Sequence, residues 1–188
     1  MNNRLFTFVG GNSGPWRIVS MDAIAGEPLP EAAMLDVVSG RDAKLSSGEA
    51  GWILRGITSN ERYTVHDEKD RLLARQPAPV RAEAVCAAFI PLRKSAAWWT
   101  LSQDERQRIF EEQSRHVSIG LRYLPTLSRR LHHCRDLGES EPFDFLTWFE
   151  YAPAEESNFN KLLAELRASP EWKYVEREVD VRLVREPG

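Results

Sequence analysis

Cysteine is scarce in this chain. Cys86 and Cys134 are the two in 188 residues. They are far apart and unpatterned, and no CxxC or HxxxH spacing occurs among them and the four histidines. A structural zinc site of the usual spacing is therefore excluded, and the two thiols are expected to be reduced core residues of a cytoplasmic protein. A basic excess is also lacking, with Lys and Arg numbering 25 against 28 Asp and Glu and a net charge of -3. Nothing in that balance would hold a phosphate backbone, so nucleic acid is not an expected partner. Long apolar runs are missing too. The stretch from Ala82 to Leu92, interrupted by Glu83, is too short to cross a bilayer, so no membrane contact is expected. The first residues, MNNRLFTFVGG, show no charged segment leading into an apolar one, and no signal peptide is expected. The segment GGNSGPW has no lysine or serine at phosphate-loop spacing and reads as a turn.

What remains is an ordinary folded composition, 42% apolar and 28% charged,. The second half carries the clearer pattern. Val80 to Leu92 (VRAEAVCAAFIPL) reads as a strand. Ser102-Gln103-Asp104-Glu105 is a capping box, which predicts one helix from there to about Tyr123, stopped by Pro125. Ser128 to Asp136 alternates and suits a strand. Gly138 and Pro142 mark a turn, and Phe143 to Tyr151 (FDFLTWFEY) is a strong strand. Pro153 opens a helix whose Phe159, Leu162, Leu163 and Leu166 are spaced for one apolar face. Tyr174 to Val184 closes the set, with Val175, Val179, Val181 and Leu183 on one side. The order β-α-β-β-α-β is ferredoxin-like, an α+β arrangement with two helices on one face of a four-stranded antiparallel sheet. The other face needs cover, and its aromatic character predicts a ligand or a second sheet.

The first 80 residues are less regular. Arg4 to Val9 and Trp16 to Met21 read as strands joined by a turn over Gly10 to Gly14. Glu31 to Val38 is expected to be a short helix, Gly51 to Thr58 and Tyr63 to Val65 extended, and Asp67 to Ala74 helical. This region is read as a truncated ferredoxin-like subdomain, residues 1–78, packed sheet to sheet against the subdomain 79–188. Arg75 to Pro79 is the expected connector, since its prolines disfavour helix and central strand.

Several side chains could carry chemistry. On the predicted long helix, His116 shares a stripe with Ile109 and Tyr123, and Gly120 leaves a low spot beside it that a flat ring could approach. By spacing alone, a core or surface histidine is the simpler reading. Arg129 begins the next strand and shares a face with Leu131, His133 and Arg135, while Arg130 points the other way. A solvated pair is again the simpler reading, whereas a buried arginine on an apolar pocket would hold an anion. Lys94 to Trp99 (KSAAWW) pairs two tryptophans just before the helix cap. Glu171 precedes Trp172 at the start of the last strand. His132, His133 and Cys134 resemble a metal cluster, but consecutive strand residues face opposite ways.

The segments RKSAAWW, LSQDERQRIFEEQSRHVSIGLRYLP, LHHCRDLGESEPFDFLTWFEYAP and EWKYVEREVDVRL together resemble the chlorite dismutase family, in its short-chain, usually dimeric branch. The resemblance covers most of residues 80 to 185, with weaker similarity at FTFVGGNSGPW and LRGITSNERY. It implies a dimeric α+β barrel with one haem b per chain. It implies a haem-dependent oxidoreductase that decomposes chlorite to chloride and dioxygen, forming the O–O bond at a ferryl haem. His116 matches the proximal iron ligand, Glu171 the carboxylate bonded to that ligand's other ring nitrogen, and Lys94 the lysine supporting it. Arg129 matches the distal arginine. Trp98 and Trp99 match tryptophans lining the haem pocket and its edge, and Arg62 and Tyr63 fall where the family contacts the propionates. A homodimer and a detoxifying role follow from the same resemblance. The alternatives are a related haem protein of this fold, peroxidase-like or porphyrin-modifying, or a haem-sensing module. A basic residue at 129 argues against the porphyrin decarboxylases.

Overall fold

The computed structural model describes residues 4–40, 50–58, 83–124, 126–135, 137–138 and 141–186. The expected strand 63–65, helix 67–74 and connector 75–79 lie outside them.

Eight strands form a closed barrel. They are β1 (Leu5–Gly11), β2 (Trp16–Ala25), β3 (Met34–Ser39), β4 (Ala50–Thr58), β5 (Cys86–Lys94), β6 (Ser128–His133), β7 (Phe145–Tyr151) and β8 (Val175–Arg185). Their order around the barrel is β1-β3-β2-β8-β5-β7-β6-β4. Within it, β8-β5-β7-β6 is the ferredoxin-like order of the second half, and β4-β1-β3-β2 repeats that order in the first half. The halves are stitched at both edges by antiparallel pairing, β2 to β8 along most of their length and β4 to β6 through Ile57–His133 and Thr58–His132. The two sheets face each other across the core, as expected, and are in addition joined at both edges by hydrogen bonds, which closes the barrel,.

Residues 34–39, expected within a helix, form β3. Leu35, Val37 and the alternation of MLDVVS suit a pleated strand, and pairing to both β1 and β2 overrides the helical reading of the preceding Glu-Ala-Ala,. Gly10 and Gly11, expected in a turn, end β1 instead. A Cβ on Gly10 would stand 2.1 Å from the Trp52 ring, so glycine is needed there for the indole to lie on the strand.

The barrel interior is aromatic. Phe8 stacks on Phe89 at 4.4 Å between centroids and Trp16 meets Trp148 edge-on at 5.2 Å. Phe8, Leu35, Trp52 and Leu54 from the first half meet Phe89, Leu146, Val179 and Val181 from the second in one core. The outer face of the second-half sheet takes the helices. Phe159, Leu162, Leu163 and Leu166 of the helix Glu156–Arg167 are all buried, against Ala88, Ile90, Phe149 and Tyr151.

The helical segment after β5 is not continuous. It runs as α1 (Ala96–Thr100), α2 (Gln103–Gln107), a π-helix (Arg108–Gln113) and α3 (His116–Tyr123), with Glu156–Arg167 as α4. The capping box forms: Glu105 N donates to Ser102 Oγ at 3.4 Å, and Ser102 N to Glu105 Oε2 at 2.8 Å. The single long helix fails six residues later. The π-helix inserts a residue into the helical repeat, and Arg115, at φ 51°, is left-handed. That conformation is unfavourable for a residue with a Cβ and breaks the helix just before His116. Ile109, His116 and Tyr123 therefore do not lie on one continuous stripe.

Candidate active site

A cleft of about 880 Å³, including its open mouth, lies between the outer face of the second-half sheet and the helices. The ligand-sized space is on the helix side of the sheet; the opposite, aromatic face is covered by the first half of the barrel.

On the sheet side the cleft is lined by alternate residues of three strands: Ile90, Leu92 and Lys94 of β5, Arg129, Leu131 and His133 of β6, and Phe145, Thr147 and Phe149 of β7. The period of two follows from the pleat. Arg130 and His132 accordingly face inward. Arg130 sits 4.6 Å above the Phe6 ring. His132 is fully buried, with Nδ1 3.0 Å from the Leu146 carbonyl and its ring edge-on to Phe8 at 5.1 Å. Burial pushes its pKa down to about 4, the Leu146 bond only partly opposing this,. His132 and His133 thus turn away from each other. Among the described residues no three His, Cys, Asp or Glu side chains come together as a metal cage.

On the helix side, the break at Ser114–Arg115 starts α3 at His116 and turns its ring onto Phe110, 4.3 Å away and nearly parallel. His116 Nδ1 lies 2.8 Å from Glu171 Oε2. Lys94 Nζ donates to Glu171 Oε1 at 2.6 Å. Both Lys94 and Glu171 are 4% exposed. Burial alone would raise the Glu171 pKa, but His116 and Lys94 overcome it and hold the carboxyl down at about 2. Burial pulls Lys94 below the ordinary lysine value, opposed by the charge and hydrogen bond of Glu171 and by Asp144 and Glu178. The ammonium is also flanked by indoles, 4.7 Å from the Trp98 ring and 5.5 Å from that of Trp172,. With Nδ1 committed to a carboxylate, the imidazole offers Nε2 to the cleft as an electron-rich donor.

Sequence reasoning grouped His116, Glu171, Lys94, Arg129 and Trp98, and the fold brings all five to this cleft. Trp99 stands apart from the lining. It stacks on Phe145 at 6.3 Å, with the Arg135 guanidinium 4.0 Å from its ring. Arg62 and Tyr63 lie outside the described residues. Arg129 is half-buried, and desolvation lowers its pKa from the ordinary value, partly offset by Glu171. Guanidinium remains the charged form. Gly120 borders a smaller recess beside His116, Val117 and Phe149, and a Cβ there would meet nothing within 4 Å. Sequence reasoning missed Ser114, Phe110 and Glu178. Ser114 and Phe110 depend on the π-helix, which no spacing announced. Glu178 and Asp180 alternate with the valines of β8, so a buried acidic face was visible in EVDVR.

The cleft of this α+β barrel brings one imidazole backed by a buried carboxylate together with the Arg129 guanidinium among largely apolar walls. The chain belongs to the chlorite dismutase family, whose model matches residues 44–185. It is similar to the dimeric chlorite dismutase of Nitrobacter winogradskyi, at 48% identity and a TM-score of 0.89, covering 96% of this chain and 99% of that one. It is also similar to the chlorite dismutase of Ideonella dechloratans, 29% identical over 160 residues, which are 84% of this chain and 51% of that protein. The chain thus spans about half the length of this curated relative. A variant of the chlorite dismutase of Candidatus Nitrospira defluvii, in complex with cyanide, shares the fold at 19% identity and a TM-score of 0.71, covering 100% of this chain and 92% of that one.

Proposed function

We propose that this chain binds one haem b and decomposes chlorite to chloride and dioxygen, acting as a homodimer. The observation that carries the reading is the buried His116–Glu171–Lys94 relay and Arg129 meeting at one apolar cleft. The 48% identity to a dimeric chlorite dismutase over almost the whole of both chains supports it.

The residues fit a haem. His116 Nε2 would supply one iron ligand, and Ile90, Leu92, Leu131, Phe145, Phe149 and Leu166 would give the macrocycle apolar walls. When bound, haem supplies the redox chemistry that converts ClO2⁻ to Cl⁻ and O2. The chain's contribution is geometry and charge. Glu171 is buried between the His116 ring and the Lys94 ammonium, both of which favour its ionised form. Its bond to Nδ1–H gives the ring anionic character and fixes its orientation. Lys94 neutralises the carboxylate and keeps it from swinging into the cleft. Arg129 would hold the chlorite anion in the cleft by charge and hydrogen bonds. It moves no proton. Trp98 fixes Lys94 and closes the cleft beside it. Trp99 braces the edge through Phe145, and Arg62 and Tyr63 remain the proposed propionate contacts. Residues 1–78 serve as the scaffold half and 79–188 as the haem-binding half.

No helix of the described residues is long and apolar enough to cross a membrane. The unpaired Cys86 and Cys134 support a reducing, cytoplasmic setting. The test is an oxygen-electrode trace on haem-loaded protein. Addition of chlorite is expected to release one dioxygen per chlorite consumed. Haem uptake without dioxygen release would overturn the enzymatic reading in favour of a haem sensor or a porphyrin-modifying relative.

A further inference from the structure

Glu178 is a carboxylate at 0% exposure in β8, outside the relay described above. Its Oε1 accepts from Arg167 Nε at 2.9 Å and Nη2 at 2.7 Å. Arg167 Nη2 also reaches Asp180 Oδ2 at 3.0 Å, and Asp180 in turn accepts from Arg182 Nε at 2.5 Å. This lattice is more than a neutralised core charge, because the remaining oxygen of Glu178 has a different partner. Glu178 Oε2 accepts from the Trp172 indole Nε1–H at 2.7 Å.

Trp172 follows Glu171 directly, and both sit in the single 3-10 turn Pro170–Tyr174. That turn has to deliver the Glu171 carboxylate to two groups from separate elements, His116 at the start of α3 and Lys94 at the end of β5. Three ties hold it. Glu171 N donates to Ser114 Oγ at 2.9 Å, Ser95 N to the Tyr174 carbonyl at 2.7 Å, and the Trp172 indole to Glu178. The first two hold backbone; the third fixes a side chain that also flanks the Lys94 ammonium and lines the cleft.

We infer that Glu178, acting through the Trp172 indole, is a positioning residue that fixes the turn presenting Glu171 to His116 and Lys94. Without the indole bond the turn has one anchor fewer and Lys94 one confining wall fewer. The Glu171–Nδ1 bond then lengthens, and the imidazole loses part of its anionic character. The inference rests on the haem reading for the metal that the imidazole serves.

The test compares Trp172→Phe, which keeps an aromatic wall but loses the N–H, with Glu178→Gln, whose single carboxamide oxygen cannot accept from both Arg167 and the indole. Two quantities are read on the full chain: the iron–histidine stretching frequency of the ferrous haem-loaded protein, and hydrogen exchange of the Glu171 amide. Trp172→Phe is expected to lower the frequency, speed the exchange about tenfold and weaken haem binding about tenfold. Glu178→Gln is expected to move frequency and exchange in the same direction, and the double variant no further than Trp172→Phe alone. Both quantities unchanged in Trp172→Phe would overturn the inference. So would both quantities unchanged in Glu178→Gln, or a double variant shifting them by the sum of the two single shifts, since Glu178 would then not act through the indole. If Trp172→Phe does not fold, the parent protein decides. The Trp172 indole proton and the Glu171 amide are expected to exchange through one common opening. An indole exchanging more than about tenfold faster beside a protected amide would overturn the inference. The exchange readout does not depend on haem, so failure of the proposed function would show separately, as absent haem uptake.

Discussion

The two sides of the cleft are built on opposite principles. On the helix side, His116 and Glu171, met by Lys94 from the end of β5, form a continuous run of buried charge-assisted hydrogen bonds, and it continues through Asp144 and the Lys94 amide at 2.7 Å. On the sheet side, Arg129 is set among Leu131, Thr147 and Phe149. A metal ligand has to keep one orientation, and a buried network whose partners are all matched gives it one. A diffusible anion has to enter, be held and leave as product, and a long cationic side chain on an apolar wall suits that task. The contrast shows where this fold spends rigidity and where it keeps reach.

The helix side should be the more sensitive to substitution. Glu171→Gln removes the charge that matches a buried ammonium, and breaking such a pair destabilises by about 3–5 kcal/mol. Chemical unfolding of the variant is the check, and a loss below about 1 kcal/mol would mean that the relay is not a buried ion pair. The strand between the two sides gives the next effect. His132, on the reverse face from Arg129, has its pKa near 4 when folded, below the ordinary value of about 6.5. The folded chain therefore resists protonation that the unfolded chain accepts. Stability is complete above about pH 6.5 and falls as pH drops toward 4, by up to about 3 kcal/mol. His132→Leu should flatten the unfolding profile in that window. The Glu171 contribution is lost only lower, between about pH 4.5 and 2, as its depressed pKa requires,. The sheet side should give the smallest effect on the fold. Arg129→Ala should keep haem and stability but release about tenfold less dioxygen before the pigment bleaches, a change of about 1.4 kcal/mol in partitioning. Unchanged turnover and bleaching would leave Arg129 without a catalytic role.

Much of this contrast was legible in the sequence. Alternation in FDFLTWFEY and the Phe159–Leu166 spacing gave the second-half sheet and its covering helix, and the quoted segments carried the resemblance that grouped His116, Glu171, Lys94 and Arg129. The order of the first half was harder to read, because β3 is set by pairing with both β1 and β2 and not by local propensity. The helix break was illegible for a related reason. QRIFEEQSRHVSIG reads as uninterrupted helix, and neither the π-helix nor the left-handed Arg115 has a residue signature such as Gly or Pro. Strain of that kind is held by tertiary contacts and concentrates at functional sites; here it reorients His116. The buried face of Glu178 and Asp180 was present as an alternation in EVDVR, but acidic residues in a strand read first as solvent-facing.

In the proposed function His116, backed by Glu171, grips the iron of a haem in this cleft. Titration of the apo-protein with haem b, followed by the Soret band, tests it most directly when run on the parent and on His116→Ala together. The parent is expected to saturate at one haem per chain with a histidine-ligated spectrum, and His116→Ala to bind at least about 100-fold more weakly. Equal occupancy and an identical Soret band in the two proteins would contradict it.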